Sequence, residues 1–417
     1  MPDRIKGGLA RIIQKQTQPY KRACGRAWMV RTELCHLQEI FMKIRAAVVR
    51  QTGLALPYAT SRPVEIEQVE LDPPGYGEVL VRIEASGLCH SDLSVINGDR
   101  PRALPIVLGH ESSGEVVEVG TGVQDLKPGD HVVMVFVPSC GQCEPCMQAR
   151  PALCEPGAAA NTKGTLLGGE RRLHIGSEVL NHHIGVSCFA DHAVVSRRSC
   201  VKVNAAISHR EAALFGCAVL TGAGAVINRA RMRLGDTAAV IGLGGVGLSA
   251  LLAAIGSGAR RVVAVDFSEE KLALARDLGA THTINPRHVA NDQDLFEQAG
   301  GQVDFGFDMA GAVPAFETAY KLTRRGGTTI TSGLPNPRSS FSLSLSQLVG
   351  EERDIRGSYL GSGVPAIDIN RYIDLYQAGR LPVDRLLGES FSLEQINEGF
   401  DRLASGSGLR DAIMFQL

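Results

Sequence analysis

One short loop carries four cysteines that could bind a metal ion. These are Cys140, Cys143, Cys146 and Cys154, in the segment CGQCEPCMQARPALC. Four thiolates so close in sequence can converge on one tetrahedral ion, and a shell of four protein ligands leaves no position open for a substrate. The loop therefore predicts a structural zinc site, with chance clustering of cysteines or an iron–sulfur site as the alternatives.

A second set of candidate metal ligands is dispersed along the chain. Cys89 lies in the segment GLCHSD, His110 in LGHE and Cys217 in FGCAVLTG. Each residue alone is weak evidence, since a buried cysteine usually packs as a small apolar side chain. Together, two cysteines and one histidine would leave the fourth tetrahedral position open, which is the arrangement of a catalytic zinc.

A glycine-rich turn predicts a dinucleotide site. The motif GLGGVG follows an apolar strand pattern and begins a helix pattern, which is the context that such a motif requires. Its glycines would let the backbone approach a pyrophosphate at the positive end of the helix. The candidate coenzyme residues of this turn are Gly242, Gly244, Gly245, Val246 and Gly247.

Asp266, at the end of the next predicted strand, indicates which coenzyme would bind. A carboxylate here can accept hydrogen bonds from a ribose diol and repels a 2′-phosphate. Phe267 and Ser268 follow and supply no arginine that would attract such a phosphate. The sequence therefore favours NAD over NADP, with a glycine-rich turn of an unrelated α/β domain as the alternative.

The elements that would position these groups change character along the chain. From Lys43 to about Cys200, short alternating strands and turns rich in glycine and proline predict an antiparallel, barrel-like β unit. From about Thr221 to Gly357, strands alternate with helices, which predicts a parallel doubly wound sheet. The predicted domains are 42–217 together with 358–417, and 218–357.

Composition is that of an ordinary globular protein. A chain of 417 residues exceeds the roughly 250–300 at which one hydrophobic core stops growing, which favours two domains. The net charge of −1 predicts no nucleic-acid partner and no anionic membrane surface, and no apolar run reaches the ~20 residues of a membrane span. Clustered cysteines in a large chain without a signal-peptide pattern favour a reducing compartment, so we expect the cytoplasm.

Residues 1–41 differ from the rest of the chain. They carry eight Lys or Arg residues, three acidic residues and no serine. Organellar targeting peptides are rich in arginine and poor in acids, but they are also rich in serine. We therefore expect an extension before the folded domain or an upstream start codon, with the first strand beginning at Met42.

The motifs together resemble one known family. In their order along 42–417, GLCHSD, LGHE, the four-cysteine loop, GCAVLTG, GLGGVG and SGSGLRDAIMF are similar to those of the zinc-containing medium-chain alcohol dehydrogenases. The resemblance implies an α/β protein with a GroES-like β-rich catalytic domain and a Rossmann NAD-binding domain. It also implies two zinc ions per chain and reversible oxidation of a small-molecule alcohol to an aldehyde or ketone, with hydride transfer to NAD.

The resemblance assigns roles in the metal site. Cys89, His110 and Cys217 would bind the catalytic zinc. Asp92 would orient His110, and Glu111 would approach the metal during ligand exchange.

It also assigns roles toward substrate and coenzyme. Ser91 would bind the alcohol and begin a proton relay. His90 and Arg410 would contact the pyrophosphate of the coenzyme. Asp266 and Lys271 would hold the adenosine ribose.

Two positions depart from the family pattern. Many members have a histidine three residues after the relay serine, where this chain has Ser94, so the proton would leave through water, His90 or the ribose. Arg100 falls near the mouth of the substrate cleft, where it would either steer an anionic substrate or extend into solvent. We see no clear set of the polar cleft residues that the glutathione-adduct class uses.

The long loop 155–190 resembles that of dimeric family members, and we therefore expect a homodimer. His182 and His183 in this loop are expected to be ordinary loop residues, because both metal shells are already full. The alternative functions are a glutathione-dependent formaldehyde dehydrogenase, a polyol dehydrogenase, and a catalytically silent NAD-binding protein.

Overall fold

A small closed barrel lies at the start of the β-rich part of the protein. The computed structural model describes residues 41–415, so the predicted extension lies outside the described residues except for Phe41. In the first strand, Ala46 and Val48 face the barrel core while Ala47 and Val49 face the main core, because successive side chains of a strand point to opposite sides. The barrel strands are Met42–Val49, Val64–Leu71, Leu173–Ile175, Glu178–His182 and Ile106–Val107.

A seven-stranded sheet packs beside the barrel and receives the C-terminal strand. Arg410–Met414 runs antiparallel to Glu78–Gly87 and parallel to Leu387–Phe391, so the end of the chain returns to the β-rich part. The other four strands of this sheet are Cys200–Lys202, His131–Met134, Ser112–Val119 and His192–Ser196.

A six-stranded parallel sheet forms the second part of the protein. In spatial order its strands are His282–Ile284, Arg261–Val265, Thr237–Ile241, Val303–Asp308, Thr323–Thr331 and Asp354–Gly357. The first of these strands along the chain, Thr237–Ile241, lies in the middle of the sheet. The next two strands extend the sheet on one side of it, and the last three extend it on the other. This is the doubly wound strand order, with its switch point after Thr237–Ile241, and it confirms the predicted fold class.

The helices begin where the local sequence provides a cap. Ser268 accepts a hydrogen bond from the Lys271 N–H at 3.3 Å and begins the predicted helix Glu269–Asp277. The helix after the glycine turn, Gly245–Gly256, is mostly buried. The other α-helices are Tyr58–Ser61, His90–Ile96, Glu144–Met147, Glu155–Lys163, His209–Ala213, Ala218–Gly224, Asp292–Gln298, Val313–Leu322, Leu345–Gly350, Pro365–Gln377 and Ile396–Ser405.

Within residues 41–415, no single helix has both the length and the apolar character needed to cross a bilayer. One bent pair, His209–Gly216 followed by Ala218–Ala230, meets these requirements by length and composition alone. Buried core helices of globular proteins meet them as well, and every residue of Ala218–Gly224 is buried here.

Candidate active site and metal centres

One cavity of about 460 Å³ lies between the β-rich part and the carboxyl ends of the parallel strands. The switch point of a doubly wound sheet is where such proteins bind their ligands. The sequence-predicted residues that line it are Cys89, His90, Ser91, Cys217, Gly242, Gly244, Gly245, Val246, Asp266, Lys271 and Arg410. The cavity therefore joins the candidate catalytic cysteines to the glycine turn.

A buried metal-binding group lies at the inner end of this cavity. Ligand atoms of Cys89, His110, Glu111 and Cys217 all lie within 4.8 Å of one another. His110 is fully buried, and its Nε2 has no hydrogen-bond partner among the described residues. Buried polar atoms normally have a partner, so an orphaned imidazole nitrogen beside two thiols fits a zinc ion.

Three elements from different parts of the chain bring these ligands together. Cys89 precedes the helix His90–Ile96, His110 precedes the strand Ser112–Val119, and Cys217 begins the helix Ala218–Gly224. The turn before His110 needs a glycine, because Gly109 has φ +93° and a Cβ there would lie 2.4 Å from the Phe189 nitrogen. Close packing against Phe189 thus sets where His110 points.

Asp92 holds the far side of the His110 ring. Its Oδ2 lies 3.0 Å from His110 Nδ1, and its Oδ1 accepts a hydrogen bond from the Gly109 N–H at 3.0 Å. Both side chains are completely buried. This contact leaves Nε2 of His110 as the nitrogen that faces the two thiols.

His183 extends this arrangement in a way that the sequence did not reveal. Its Nε2 lies 3.3 Å from Asp92 Oδ1, and the ring is 2% exposed. Burial lowers the pKa of His183 to about 3, which favours the neutral ring beside the Asp92 carboxylate. Its neighbour His182 ends the barrel strand Glu178–His182 rather than lying in a loop, and its Nε2 accepts a hydrogen bond from the Arg172 N–H at 3.1 Å.

A buried ion pair connects the metal group to the glycine turn. Arg410 pairs with Glu111 through Nη2 and through Nε, which lies 3.2 Å from Glu111 Oε1. Burial lowers the pKa of Arg410, but the Glu111 carboxylate outweighs it and holds that pKa well above its usual value. The Arg410 side chain also packs over Gly245, where a Cβ would lie 3.0 Å from its Cδ.

Asp266 stabilises the glycine turn as well as facing the cavity. Its Oδ2 accepts a hydrogen bond from the Leu243 N–H at 2.7 Å, and its Oδ1 accepts one from the Ser268 N–H at 2.9 Å. Gly242 has φ +90°, and a Cβ there would lie 2.8 Å from the Ala310 side chain. Of the predicted turn residues, Gly247 packs inside against Gly242 and does not line the cavity.

The two serines after Cys89 have different surroundings. Ser91 lines the cavity beside the thiols. Ser94 also reaches the cavity, but its hydroxyl donates to the His90 carbonyl oxygen at 2.7 Å. Ser94 occupies the position where many family members have a histidine, and its hydroxyl is therefore hydrogen-bonded to its own helix.

The four-cysteine loop forms a separate metal-binding group. The sulfur atoms of Cys140, Cys143, Cys146 and Cys154 lie within 4.8 Å of one another, and no disulfide joins them. Backbone N–H groups point at the sulfurs, with Cys140 N 3.1 Å from Cys154 Sγ and Cys143 N 3.3 Å from Cys140 Sγ. Burial opposes ionisation of Cys140, but such N–H bonds lower its pKa to about 7, which suits a thiolate ligand.

Comparisons with known proteins agree with this geometry. Family models described as "Alcohol dehydrogenase GroES-like domain" and "Zinc-binding dehydrogenase" match residues 75–205 and 245–378. A putative alcohol dehydrogenase D of Mycobacterium tuberculosis is 38% identical over 377 residues, covering 89% of this chain and 100% of the relative. An NDMA-dependent alcohol dehydrogenase of Amycolatopsis methanolica is 38% identical over 376 residues, covering 89% and 99%.

A solved structure shows the same architecture. The crystal structure of benzyl alcohol dehydrogenase from Acinetobacter calcoaceticus superposes with a TM-score of 0.83 at 32% identity, covering 90% of this chain and 100% of that one. The resemblance predicted from the motifs is thereby confirmed: the chain belongs to the zinc-containing medium-chain alcohol dehydrogenase family.

Proposed function

We propose that this zinc-dependent alcohol dehydrogenase oxidises a small alcohol reversibly to an aldehyde or ketone, with NAD as the hydride acceptor. The observation that carries the proposal is the single cavity that contains both the Cys89–Cys217 thiols and the glycine turn. A substrate carbon bound beside the thiols would lie next to a nicotinamide that the turn anchors by its pyrophosphate. A homodimer and a cytoplasmic location stay predictions.

In this proposal Cys89, His110 and Cys217 would hold the catalytic zinc, and the two cysteines line the cavity. The Cys217 thiol and the Arg410 charge hold the pKa of Cys89 well below its usual range against the effect of burial, which favours a thiolate ligand. When bound, zinc would supply Lewis-acid polarisation of the substrate oxygen. Glu111 is held by Arg410, which supports a role beside the metal rather than in the ligand set.

Ser91 accepts the proton that leaves the alcohol, because it lies in the cavity beside the metal group. Ser94 cannot easily continue the relay while its hydroxyl is bonded to the His90 carbonyl. The proton then leaves through water, His90 or the coenzyme ribose. Phe136 excludes water from the reacting end, with its ring 5.2 Å from His110 and 6.0 Å from Tyr359 between centroids.

The coenzyme end of the cavity supports NAD. Asp266 is oriented by two backbone N–H groups and presents its carboxylate where a ribose diol would bind. Lys271 and Arg410 line the same end and supply positive charge for the ribose and pyrophosphate oxygens.

The first test is turnover by the zinc-replete protein. With alcohols such as benzyl alcohol, we expect NADH formation in the presence of NAD, and acceptor reduction when NDMA is supplied, as in the name of the Amycolatopsis relative. Ser91→Ala should lower kcat by about 100-fold or more, whereas Ser94→Ala should stay within about threefold because its hydroxyl bonds only to its own helix. Absence of turnover with every alcohol and aldehyde, with and without glutathione, would contradict the proposal.

The second test concerns Asp92. Asp92→Asn should weaken zinc binding at the catalytic site by about 10–100-fold, because the amide orients His110 less strongly than the carboxylate. Competition with a chelator measures this, and the four-cysteine zinc in the same molecule is the internal control. Asp99→Asn, which makes the same chemical change at an exposed cavity residue, should leave zinc affinity unchanged. Equal effects of the two variants would refute the role of Asp92.

The third test separates the two metal groups. Cys143→Ser should reduce the zinc content from two ions per chain to one and lower Tm by at least about 4 °C, since a structural metal stabilises the folded state. Cys200→Ala removes a cysteine outside both groups and should retain two ions. If the Cys143 variant kept both ions, the four-cysteine group would not be a zinc site.

The fourth test concerns coenzyme choice. Asp266→Asn keeps an oxygen that can accept the Leu243 hydrogen bond but removes the charge that repels a 2′-phosphate. We expect the ratio of NADP to NAD affinity to rise by about tenfold or more in equilibrium titrations. Asp294→Asn, at a half-buried carboxylate outside the cavity, is the matched control. An unchanged ratio would show that Asp266 does not select the coenzyme.

A further inference from the structure

Arg100 brings a positive charge into the substrate end of the cavity. It lines the same cavity as Cys89 and Cys217, and its backbone N–H donates to the Ser94 carbonyl at 2.8 Å, which fixes the loop to the helix before it. The residue is half-buried. Among residues 41–415, no carboxylate oxygen lies within 4.0 Å of its guanidinium nitrogens. Within this described part of the chain, Arg100 therefore has no counterion.

A second guanidinium lies nearby and is also poorly satisfied. Arg102 is half-buried, and its Nη1 makes one long contact of 3.5 Å to the Asn161 carbonyl. Asn161 in turn donates to the Phe136 carbonyl at 2.9 Å. Because Phe136 lines the cavity, Arg102 is linked to the cavity lining through Asn161. Burial and the charge of Arg100 both lower the pKa of Arg102. Two cations close together and partly out of water are unfavourable unless an anion joins them.

Asp99, an acidic side chain that lines the cavity next to Arg100, does not neutralise them. Asp99 lines the cavity, but its Oδ2 accepts from Asn97 Nδ2 at 2.8 Å and its Oδ1 accepts from Asn336 Nδ2 at 3.2 Å. Its carboxylate thus connects the two walls of the cleft. With one carboxylate and two guanidinium groups, the substrate end of the cavity has a net positive charge.

Aromatic rings lie next to the metal group in the cavity that Arg100 also lines. Phe136 packs edge-on against His110 at 5.2 Å and against Tyr359 at 6.0 Å, and both aromatic residues line the cavity. An apolar body would fit here, with its reacting carbon toward Cys89 and Cys217. The thiols, the aromatic rings and the Arg100 guanidinium thus line one cavity.

We propose that the substrate is an alcohol or aldehyde with a carboxylate at the end remote from its reacting carbon, and that Arg100 binds this carboxylate. The inference rests on the proposed function and adds the class of substrate to it. The carboxylate does not react: the hydride still passes from the alcohol carbon to NAD, and the hydroxyl proton still leaves through Ser91.

Matched substrates test the proposal. We expect the wild-type kcat/KM for 4-(hydroxymethyl)benzoate to exceed that for its neutral methyl ester by about tenfold or more, and the difference to shrink as salt screens the charges. Arg100→Gln should lower kcat/KM for the acid by about 10–100-fold, mainly through KM, because the lost contact is remote from the reacting carbon. The ester should change by less than about threefold.

Two further variants control for charge and position. Arg100→Lys keeps the charge and should retain part of the preference for the acid. Arg150→Gln removes an exposed guanidinium that lines a neighbouring cavity but not the substrate cavity, and it should leave the preference unchanged. Calorimetry with 4-methylbenzoate and 4-methylbenzamide gives a readout without turnover, in which only the acid should bind more weakly to Arg100→Gln.

The outcomes distinguish this inference from the function on which it rests. If the ester is used as well as the acid, or if Arg100→Gln affects acid and ester equally, Arg100 does not select an anion. If 4-methylbenzoate binds equally to wild type and Arg100→Gln, its carboxylate contacts the metal instead, and the inference is wrong. If neither alcohol is oxidised by the zinc-replete enzyme, the proposed function fails.

Discussion

The buried ion pair between Glu111 and Arg410 is the contact on which the rest of the site depends. Glu111 follows the candidate ligand His110, whereas Arg410 begins the C-terminal strand and packs over Gly245 of the glycine turn. Burying two charges is costly, and breaking such a pair by removing one partner typically costs about 3–5 kcal/mol, because the other charge is left unpaired. The pair therefore couples the metal group, the C-terminal strand and the coenzyme turn into one arrangement.

Around this pair, the charged side chains differ in the partners that stabilise them. The Asp92 carboxylate lies between His110 and His183, and its Oδ1 accepts a hydrogen bond from the Gly109 N–H. Asp266 is held by two backbone N–H groups at the coenzyme end. Arg100, in contrast, has no carboxylate partner among the described residues, and for this reason the substrate end of the cavity remains open to an anion.

Local sequence patterns predicted the structure correctly wherever it depends on contacts between residues close in the chain. The helix Glu269–Asp277 begins at its serine cap, and the four cysteines of the 140–154 loop converge as their spacing predicts. The parallel sheet follows from the alternation of strands and helices, since crossover connections leave few other topologies. The roles of Cys89, His110 and Cys217 came from the resemblance to a family. These three residues lie far apart in the chain, so their spacing alone does not predict that they meet at one metal ion.

The sequence by itself determined the alternation of strands and helices, the glycine turn and the separate cysteine loop, because each is encoded by residues close in the chain. Only the tertiary structure decided that His183 lies beside Asp92, that Glu111 pairs with Arg410, and that the Ser94 hydroxyl is engaged with its helix. The first two are contacts between distant segments, and no local periodicity encodes which distant side chains meet. The third depends on the rotamer of one serine, which packing in the folded helix selects.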